Sequence, residues 1–329
     1  MKLATIDNKT RDGQLVVVNR KLTRAVKVPT IASTMQEALD NWQELEPLLQ
    51  NVYRDLNENN IKDSFDFNQE KYMAPIPRAY HWADGSAYVT HVELVRKARN
   101  ATLPDSFWTD PLMYMGASDA FIGPNDDIEV ENEEWGIDFE AEVAVITDDV
   151  PPGTDASTAL SHIKLISIIN DVTLRNLIPS ELSKQFGFYH SKPWTSFAPV
   201  VVTPDELKGA WKDGKVHLPL LSTMNGKRIG APNAGVDMTF DFGQLIAHAA
   251  KTRSLMAGTI IGSGTVANQG SPHGSSCLAE VRYLEIIKDK KASTPFMSFG
   301  DRIEIEMKDE ENNSIFGKID QVVKQYIKK

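Results

Sequence analysis

Cysteine and long apolar runs are scarce in this sequence, and 35 basic residues are outnumbered by 45 acidic ones; each of these features argues against a class of protein. The single cysteine, Cys277, rules out an internal disulfide framework and favours a reducing compartment such as the cytoplasm. A formal net charge of −10 argues against nucleic acid or an anionic membrane as a partner, because both favour basic patches. No apolar run approaches the roughly 18 residues of a membrane span, and the N-terminus lacks the apolar core of a secretory signal. We therefore expect a cytoplasmic globular protein.

Several catalytic motifs are absent as well. The sequence contains no HExxH, no CxxC pair, no GxSxG and no GxGxxG, and the GSGT segment at 262–265 lacks the spacing and the lysine of a phosphate-binding loop. Zinc hydrolases, thiol redox enzymes and α/β-hydrolases therefore have no support. What remains is a chain of 329 residues, 41% hydrophobic, which is long enough for one large domain with a smaller one.

Residues 1–72 are typical of a small N-terminal β/α domain followed by a linker. Short β-branched runs predict two strands, at residues 15–19 and 25–29. A capping box that begins at Thr34 predicts a helix, and Pro47 is expected to end or kink it before it resumes. The polar, weakly patterned stretch 57–72 is predicted to link this unit to a catalytic domain at 73–329.

The larger domain shows many short strand-like runs separated by Pro, Gly and Asp residues. Strands are predicted at residues 140–147, 163–170, 197–203, 216–224, 258–263, 278–287 and 302–307. Helices are predicted at residues 86–100, 156–162 and 242–252. Strands outnumber helices and do not alternate with them one for one, which disfavours a doubly wound sheet. The sequence therefore predicts a strand-rich α+β fold.

Within the segment 135–149, WGIDFEAEVAVITDD, residues 137–143 alternate strictly between apolar and acidic side chains. Successive side chains on a strand face opposite ways, so Glu140 and Glu142 are expected on one face, about 6.5–7 Å apart at Cα. Two crowded carboxylates without a counter-charge raise each other's pKa, and a hard cation such as Mg²⁺ or Ca²⁺ relieves that repulsion. The alternative is a solvated strand face that is acidic by chance, which predicts no bound ion.

Two predicted strands end in residues that could bind a ligand. Asp171 follows the apolar run 165–169, where a carboxylate is costly unless something binds it. The alternative is that Asp171 caps a following helix and pairs with Arg175. The glycines of 262–265 would let the backbone approach a ligand, although a simple hairpin turn explains them equally well.

A histidine with carboxylates on both sides in the sequence is the best candidate for a general base. Tyr88 and His91 share one face of a predicted helix, and Asp84 lies just before that helix. Nearby carboxylates suit a histidine that moves protons at neutral pH. The alternative is that Asp84 caps the helix and that His91 is a partly buried surface histidine.

These motifs, in the order in which they occur, resemble the fumarylacetoacetate hydrolase family over roughly residues 73–325. The resemblance is carried by Asp84 with Tyr88 and His91, by Tyr114, by segments 138–142 and 170–175, by Lys192, by segment 263–266 and by Gly317 with Gln321. It is closer to the fumarylacetoacetase branch than to the short acylpyruvase-like members, which generally lack the Asp84-like ligand. The sequence departs from the family pattern at two places. The different residues at 176–178 bear on the identity of the substrate, and the changed spacing from Thr265 to Glu280 bears on the assignment of Glu280 as the carboxylate that orients His91.

The resemblance implies a mixed β-sandwich roll for the catalytic domain and a site that holds one Mg²⁺ or Ca²⁺ ion. The implied metal ligands are Asp84, Glu140, Glu142 and Asp171. The implied catalytic residues are His91, which Glu280 would orient, together with Lys192 and Arg175. The implied substrate contacts are Tyr88, Tyr114, Arg175 and Thr265.

The resemblance further implies a homodimeric hydrolase that cleaves a carbon–carbon bond in a small 1,3-dicarbonyl acid. The expected substrate is fumarylacetoacetate, cleaved to fumarate and acetoacetate in the last step of tyrosine breakdown. An acylpyruvate hydrolase, an oxaloacetate decarboxylase, or a hydratase or isomerase of aromatic-degradation dienoates would use the same fold and metal. The alternative from another class is a non-catalytic metal- or ligand-binding scaffold, which has no use for a base such as His91.

Overall fold

The computed structural model describes residues 1–67, 72–98 and 102–327. The α-helices in these ranges are α1 (Met35–Asp40), α2 (Trp42–Asn57), α3 (Val89–Ala98), α4 (Ala156–Ala159), α5 (Ile178–Leu182), α6 (Phe242–Ala249) and α7 (Leu278–Asp289). Within the same ranges, no helix combines the length and the apolar character needed to cross a membrane.

The strands are short and occur along the whole chain. The first ten are β1 (Lys2–Ile6), β2 (Gln14–Val18), β3 (Arg24–Lys27), β4 (Phe65–Asp66), β5 (Trp82–Gly85), β6 (Met113–Met115), β7 (Ile128–Val130), β8 (Ile137–Asp138), β9 (Ala141–Thr147) and β10 (Ile163–Asn170). The others are β11 (Thr173–Leu174), β12 (Ser196–Phe197), β13 (Val200–Val202), β14 (Trp211–Lys212), β15 (Lys215–Val216), β16 (Leu220–Met224), β17 (Lys227–Gly230), β18 (Ile260–Gly262), β19 (Arg302–Lys308) and β20 (Ser314–Gln325).

A central sheet of eleven strands has the order β4-β3-β2-β1-β13-β10-β9-β18-β5-β6, with β12 paired to β10. Strands β5 and β18 run parallel, and the other pairs along this path are antiparallel. The N-terminal strand β1 pairs with β13 in the register Lys2↔Val202 to Ala4↔Val200. The first strands of the chain therefore extend the central sheet and do not form a separate one.

A second sheet, in the order β17-β16-β19-β20-β7, covers one face of the central sheet. Alternate residues of β9 and β10 pack into the core between the two sheets, where they meet apolar residues of β19 and β20. The intervening residues of β9 and β10 face the opposite side, where α1 and α2 cover them. Because both faces of these strands are buried, their sequences are almost continuously apolar. The predicted strand-rich α+β fold with packed sheets is confirmed.

Most of the predicted elements occur, and prolines interrupt two of them. Segment 163–170 is strand β10, and the predicted helices correspond to α3, α4 and α6, although residues 99–101 lie outside the described ranges. Segment 197–203 is divided into β12 and β13 at Pro199, and segment 216–224 into β15 and β16 before Pro219. Proline lacks the N–H group that a strand donates to its neighbour, which explains both interruptions.

The predicted strand at 278–287 is wrong, because this segment forms helix α7. The helix begins at Cys277, whose Sγ accepts a hydrogen bond from the Glu280 N–H at 3.4 Å. The carboxylate of Asp138 accepts bonds from the first two helical N–H groups, at 2.7 and 2.9 Å. Asp138 precedes the helix by 140 residues, so this capping could not be found from the local apolar pattern.

One prediction for the first 72 residues is also wrong in detail. The helix breaks at Asn41, between α1 and α2, and α2 continues through Pro47. The Asn41 side chain donates to the carbonyl of Glu37 at 3.0 Å, a local bond that competes with helix continuation. The segment predicted as a linker contains β4, which pairs with β3, and residues 68–71 of it lie outside the described ranges.

Candidate active site and metal centre

Carboxylates from three parts of the sequence meet at one point of the central sheet. Asp84 lies on β5, Glu142 lies on β9, and Asp171 directly follows β10. Strand β9 pairs with β10 on one side and with β18 on the other, and β18 pairs with β5. Carboxylate oxygens of the three residues, here called the three-carboxylate cluster, all lie within 4.8 Å of one another. Strand pairing thus brings together residues that separate motifs had indicated.

The three-carboxylate cluster is almost completely buried, with exposed fractions of 5% for Asp84 and 0% for Glu142 and Asp171. Neither oxygen of Glu142 has a hydrogen-bond partner within the part of the chain that the structure describes. Burial, followed by the charges of Asp84 and Asp171, raises the pKa of Glu142 well above its ordinary value. Burial and the charge of Asp171 also raise the pKa of Asp84 to about 8. A solvated acidic face, the alternative for this strand, is therefore wrong.

Glu140 lies beside the cluster but is held by two cations. Its Oε1 accepts a bond from Arg175 Nη2 at 2.6 Å, and its Oε2 accepts one from Lys192 Nζ at 2.5 Å. Burial by itself would raise the pKa of Glu140, but Arg175 and Lys192 outweigh it and hold the pKa well below its ordinary value. Of the four predicted metal ligands, the structure thus gathers three, and Glu140 forms salt bridges at their edge.

The charges of this site do not balance within the chain. Asp84, Glu140, Glu142 and Asp171 supply four negative charges when ionised, whereas Lys192 and Arg175 supply two positive charges, and Arg175 is shared with Asp138. When all of these carboxylates are ionised, at least two negative charges remain uncompensated, and a divalent cation would offset them. A donor set made only of oxygens is the kind that Mg²⁺, Ca²⁺ and Mn²⁺ prefer. The orphaned Glu142 oxygens and this imbalance together fit a hard divalent ion.

A glycine-containing turn holds Asp84 in the cluster. The Gly264 N–H donates to Asp84 Oδ1 at 3.0 Å. Gly264 has φ +74°, and a Cβ on it would lie 2.3 Å from the carbonyl oxygen of Gly85. A Cβ on Gly262 would lie 2.3 Å from Asp84 Oδ1. Because β18 runs parallel to β5, the segment 262–265 is not a hairpin turn between them. It lets the backbone approach a buried carboxylate closely.

Replacing Gly264 with alanine should lower the free energy of unfolding by more than the strained φ alone costs, which is about 1–3 kcal/mol. The additional loss comes from the close contact with the Gly85 carbonyl. The matched control is Gly226→Ala, because Gly226 has φ +76° and a Cβ added to it would meet nothing within 4 Å. Urea denaturation of both variants would measure the difference. Equal losses would contradict a role for close backbone approach.

His91, in the first turn of α3, pairs with Glu280 of α7. Its Nδ1 lies 2.9 Å from Glu280 Oε2. The other oxygen of Glu280 accepts bonds from the hydroxyls of Ser271 and Ser275. Glu280 is 1% exposed, and a buried carboxylate at this distance favours a proton on Nδ1. The other ring nitrogen, Nε2, is then the basic one, as general base catalysis requires.

Lys192 and Tyr114 lie directly on the three-carboxylate cluster. The Lys192 ammonium group donates to Glu140, to Asp171 Oδ2 and to Thr173 Oγ1, the last at 2.8 Å. The Tyr114 hydroxyl donates to the same oxygen of Asp171, and its ring lies 5.2 Å from the Lys192 nitrogen. The structure therefore brings both predicted residues to the carboxylates, next to where a ligand of the cluster would bind.

Tyr88, Thr265 and Arg175 are the other residues predicted to contact substrate. Tyr88 is 2% exposed, and its hydroxyl donates to the carbonyl of Ala234 at 2.6 Å, so the structure engages it in packing. Thr265 follows the glycine turn and is 7% exposed. Arg175 uses its Nε to bind Asp138 at 2.9 Å. Their contacts with a substrate stay predictions.

Sequence reasoning missed two residues that orient the carboxylates. Thr195 donates its hydroxyl to Asp171 Oδ1 at 2.7 Å. Asn170 accepts the Glu140 N–H at 3.1 Å, and its amide donates to Gln321 of β20 at 3.2 Å. An amide at the end of an apolar strand was a usable signal for Asn170. No local pattern indicated Thr195.

Two further carboxylates, also missed, hold the supporting segments in place. Asp138 binds Arg175 and caps α7, so it connects the acidic strand with the helix that carries Glu280. Glu181 accepts the backbone N–H groups of three successive residues, 189–191, which lead to Lys192. These hydrogen bonds explain how a loop lysine keeps a defined position.

With this geometry established, two protein-family models match the chain. The model described as "Fumarylacetoacetate (FAA) hydrolase C-terminal" matches residues 80–324, and the model described as "Fumarylacetoacetase N-terminal domain 2" matches residues 1–78. The chain belongs to the fumarylacetoacetate hydrolase family. Membership agrees with the resemblance stated above and extends it to the N-terminal residues.

One curated relative matches about half of this chain. The chain is 29% identical to a 2,4-didehydro-3-deoxy-L-rhamnonate hydrolase of Sphingomonas sp. strain SKA58 over 160 residues, which cover 48% of this chain and 53% of that hydrolase. The match thus spans about half the length of that relative.

Solved structures show the same fold over the whole chain. A probable 2-hydroxyhepta-2,4-diene-1,7-dioate isomerase of Mycobacterium abscessus has a TM-score of 0.69 at 18% identity, with 100% of both chains covered. A maleylpyruvate hydrolase of Sphingobium sp. SYK-6, in complex with manganese(II) ion and pyruvate, has a TM-score of 0.66 at 16% identity, with 99% of this chain and 100% of the other covered. At these identities the similarities show the fold alone. One of the two proteins is a hydrolase and the other a probable isomerase, so they indicate no particular closeness to fumarylacetoacetase.

Proposed function

We propose that this protein is a divalent-metal-dependent hydrolase that cleaves a carbon–carbon bond in an acylpyruvate-type dicarbonyl acid. The observation that carries the proposal is the buried Glu142 carboxylate, which has no hydrogen-bond partner among the described residues and lies in a cluster with Asp84 and Asp171. The similarity to hydrolases of 2,4-didehydro-3-deoxy-L-rhamnonate and of maleylpyruvate supports this substrate class.

Asp84, Glu142 and Asp171 would hold the ion, which we expect to be Mg²⁺, Ca²⁺ or Mn²⁺. When bound, such an ion acts as a Lewis acid that polarises a substrate carbonyl and stabilises negative charge on its oxygen. Glu140 was predicted as a fourth ligand, and its two salt bridges favour a different role for it. It keeps Lys192 and Arg175 charged and in place.

His91 would take a proton from water and so prepare the attack on the substrate carbonyl. The hydrogen bond from Nδ1 to Glu280 fixes the ring orientation and leaves Nε2 free to accept that proton. The buried charge of Glu280 then stabilises the imidazolium ion that forms. The hydroxyls of Ser271 and Ser275 orient Glu280 itself.

Lys192 would stabilise the enolate that leaves when the carbon–carbon bond breaks. One preorganised donor of this kind typically contributes about 2.7–4 kcal/mol to transition-state stabilisation. Its ammonium group has three hydrogens and already has three partners, Glu140, Asp171 and Thr173. A substrate oxygen must therefore replace one of them, and the neutral Thr173 hydroxyl costs least to displace.

Fumarylacetoacetate is the second candidate substrate. The sequence resemblance favours it, because Asp84 precedes His91 and Tyr114 is present as in the long members. Tyr114 also lies on Asp171 in the structure, where it could contact the same substrate. The predicted homodimer concerns a second copy of the chain and stays a prediction.

A substrate panel with and without chelator would test the function. We expect the protein to release pyruvate from acetylpyruvate, to lose this activity in EDTA, and to regain it when Mg²⁺ or Mn²⁺ is added in excess. Product analysis by NMR on acetylpyruvate, fumarylacetoacetate and oxaloacetate would identify the preferred substrate. Turnover that persists after the metal is removed and verified absent would contradict the proposal, and so would a lack of product from every dicarbonyl acid.

A further inference from the structure

A second group of side chains of the kinds that ligate metals includes both members of the His91–Glu280 pair. Donor atoms of His91, Cys277 and Glu280 lie within 4.8 Å of one another. Imidazole, thiolate and carboxylate together form a donor set for Zn²⁺ or Co²⁺, whereas Mg²⁺ and Ca²⁺ prefer oxygen ligands alone. We propose that these three residues, here called the His–Cys–Glu site, bind Zn²⁺ and that this binding inhibits the enzyme by occupying His91.

The fold holds the three donors in fixed positions. Cys277 caps α7, and its Sγ accepts the N–H of Glu280, so thiol and carboxylate are held on the same end of one helix. His91 approaches from α3, which packs against α7, and its Nδ1 already contacts Glu280. Three protein ligands with a fourth position left for water are a usual arrangement for zinc. The site therefore needs a small adjustment of side chains rather than a new backbone conformation.

The surrounding charges also permit a cation at this place. The N-terminus of a helix normally disfavours positive charge, but Asp138 binds the first two N–H groups of α7. The nearby Arg175 is itself paired with Asp138 and Glu140. Burial raises the pKa of the Cys277 thiol, so the ion would have to displace its proton to solvent, after which Glu280 and the thiolate would supply two negative charges. His91 is 14% exposed and provides the side from which an ion can enter.

Inhibition follows from the proposed function, because the ion would use the imidazole that we assign as the general base. An ion bound at Nδ1 would replace the hydrogen bond between His91 and Glu280, and the ring proton would move to Nε2, which could then no longer accept a proton from water. The metal of the three-carboxylate cluster can remain in place throughout. The inhibitory ion and the activating ion thus have different ligands and different chemical preferences.

A Co²⁺ titration of the full chain in excess Mg²⁺ tests the binding directly. Because Cys277 is the only cysteine in the sequence, a thiolate-to-cobalt charge-transfer band can arise from this residue alone. We expect one equivalent of Co²⁺ to produce the band in the wild-type protein. The control is Cys277→Ser, since a serine hydroxyl keeps the helix cap but provides no thiolate. A wild-type protein that binds Co²⁺ without this band, or does not bind it, would overturn the proposal.

A zinc inhibition assay, again in excess Mg²⁺, tests the consequence. We expect Cys277→Ser to retain the basal turnover. Half-maximal inhibition of this variant should need at least about tenfold more Zn²⁺, because the loss of a contact at a metal site typically lowers metal affinity by about that factor or more. Equal inhibition of both proteins would place the zinc on the carboxylates and contradict the inhibitory site. If no substrate were turned over, the proposed function would fail while the cobalt spectrum still decided whether the His–Cys–Glu site exists.

Discussion

Replacing Glu142 with glutamine should abolish detectable turnover and remove the stabilisation that Mg²⁺ gives to the wild-type protein. The substitution keeps the shape of the side chain but takes away one of the three buried charges of the cluster. An amide oxygen is a weaker ligand for a hard cation than a carboxylate, so the ion should no longer bind at millimolar concentration. Activity assays and isothermal titration with Mg²⁺ would measure the two losses separately.

The same variant should be more stable than the wild type when a chelator is present. Without a cation, the wild-type cluster must either keep like charges together in a buried place or take up protons that the unfolded chain has released, and glutamine removes part of that cost. In the wild type, Mg²⁺ at 100 times its dissociation constant should add about 2.7 kcal/mol to the free energy of unfolding. Urea denaturation of both proteins in EDTA and in Mg²⁺ should therefore reverse their order of stability.

The pH dependence of the free energy of unfolding, measured in the presence of a chelator, is a third test of the three-carboxylate cluster. The pKa of Asp84 is raised from 3.8 to about 8 in the folded protein, so the native state holds a proton that the unfolded chain has released. Stability from this group is therefore complete at low pH and is lost as the pH rises through that interval. The pKa of Glu142 is also raised well above its ordinary value, chiefly by burial, so the Glu142→Gln variant, which lacks this titrating group, should lose less stability over the same range.

Glu206 provides a matched control, since it is another enclosed glutamate and forms its salt bridge with Arg20 away from the cluster. Glu206→Gln should keep both the activity and the Mg²⁺ effect. A Glu142→Gln variant that still gained stability from Mg²⁺ would show that the ion binds elsewhere. The metal assignment, and with it the proposed chemistry, would then have to be abandoned.

The sequence predicted the fold class and most central strands because their signals are local. Strand β10 is almost continuously apolar, and side chains on both of its faces are buried. The local apolar pattern predicted the wrong element where contacts with distant residues determine the secondary structure. Helix α7 is capped by Asp138 from the acidic strand, and no inspection of 278–287 could reveal that contact.

The candidate site shows the same division between local and distant information. Alternation placed Glu140 and Glu142 on one strand face, and the structure places both carboxylates at one site. Their environments differ. Of these two glutamates, Glu140 is hydrogen-bonded by Arg175 and Lys192, whereas Glu142 is bonded by neither. Spacing along one strand cannot distinguish a carboxylate that gains two cationic partners from one that gains none. That distinction depends on loops folded from elsewhere in the chain.

Replacing His91 with alanine should lower kcat by roughly 10²–10⁴ while leaving the Mg²⁺ stabilisation unchanged. His91 belongs to the dyad with Glu280 and not to the three-carboxylate cluster, so losing it removes a base without removing a metal ligand. Glu280→Gln should give a smaller loss, because the imidazole remains but is no longer oriented by a buried charge. Steady-state kinetics together with thermal unfolding in Mg²⁺ would separate the two effects.

The control for this experiment is a second histidine–carboxylate pair in the same chain. His162 Nδ1 lies 2.7 Å from Asp148 Oδ1, so His162→Ala removes a similar hydrogen bond at a distance from the site. That variant should retain full activity. If His91→Ala were equally active, water would have to be activated without the imidazole, and the dyad would be structural. If His91→Ala instead lost the Mg²⁺ effect, the two clusters would not be the independent sites that the geometry indicates.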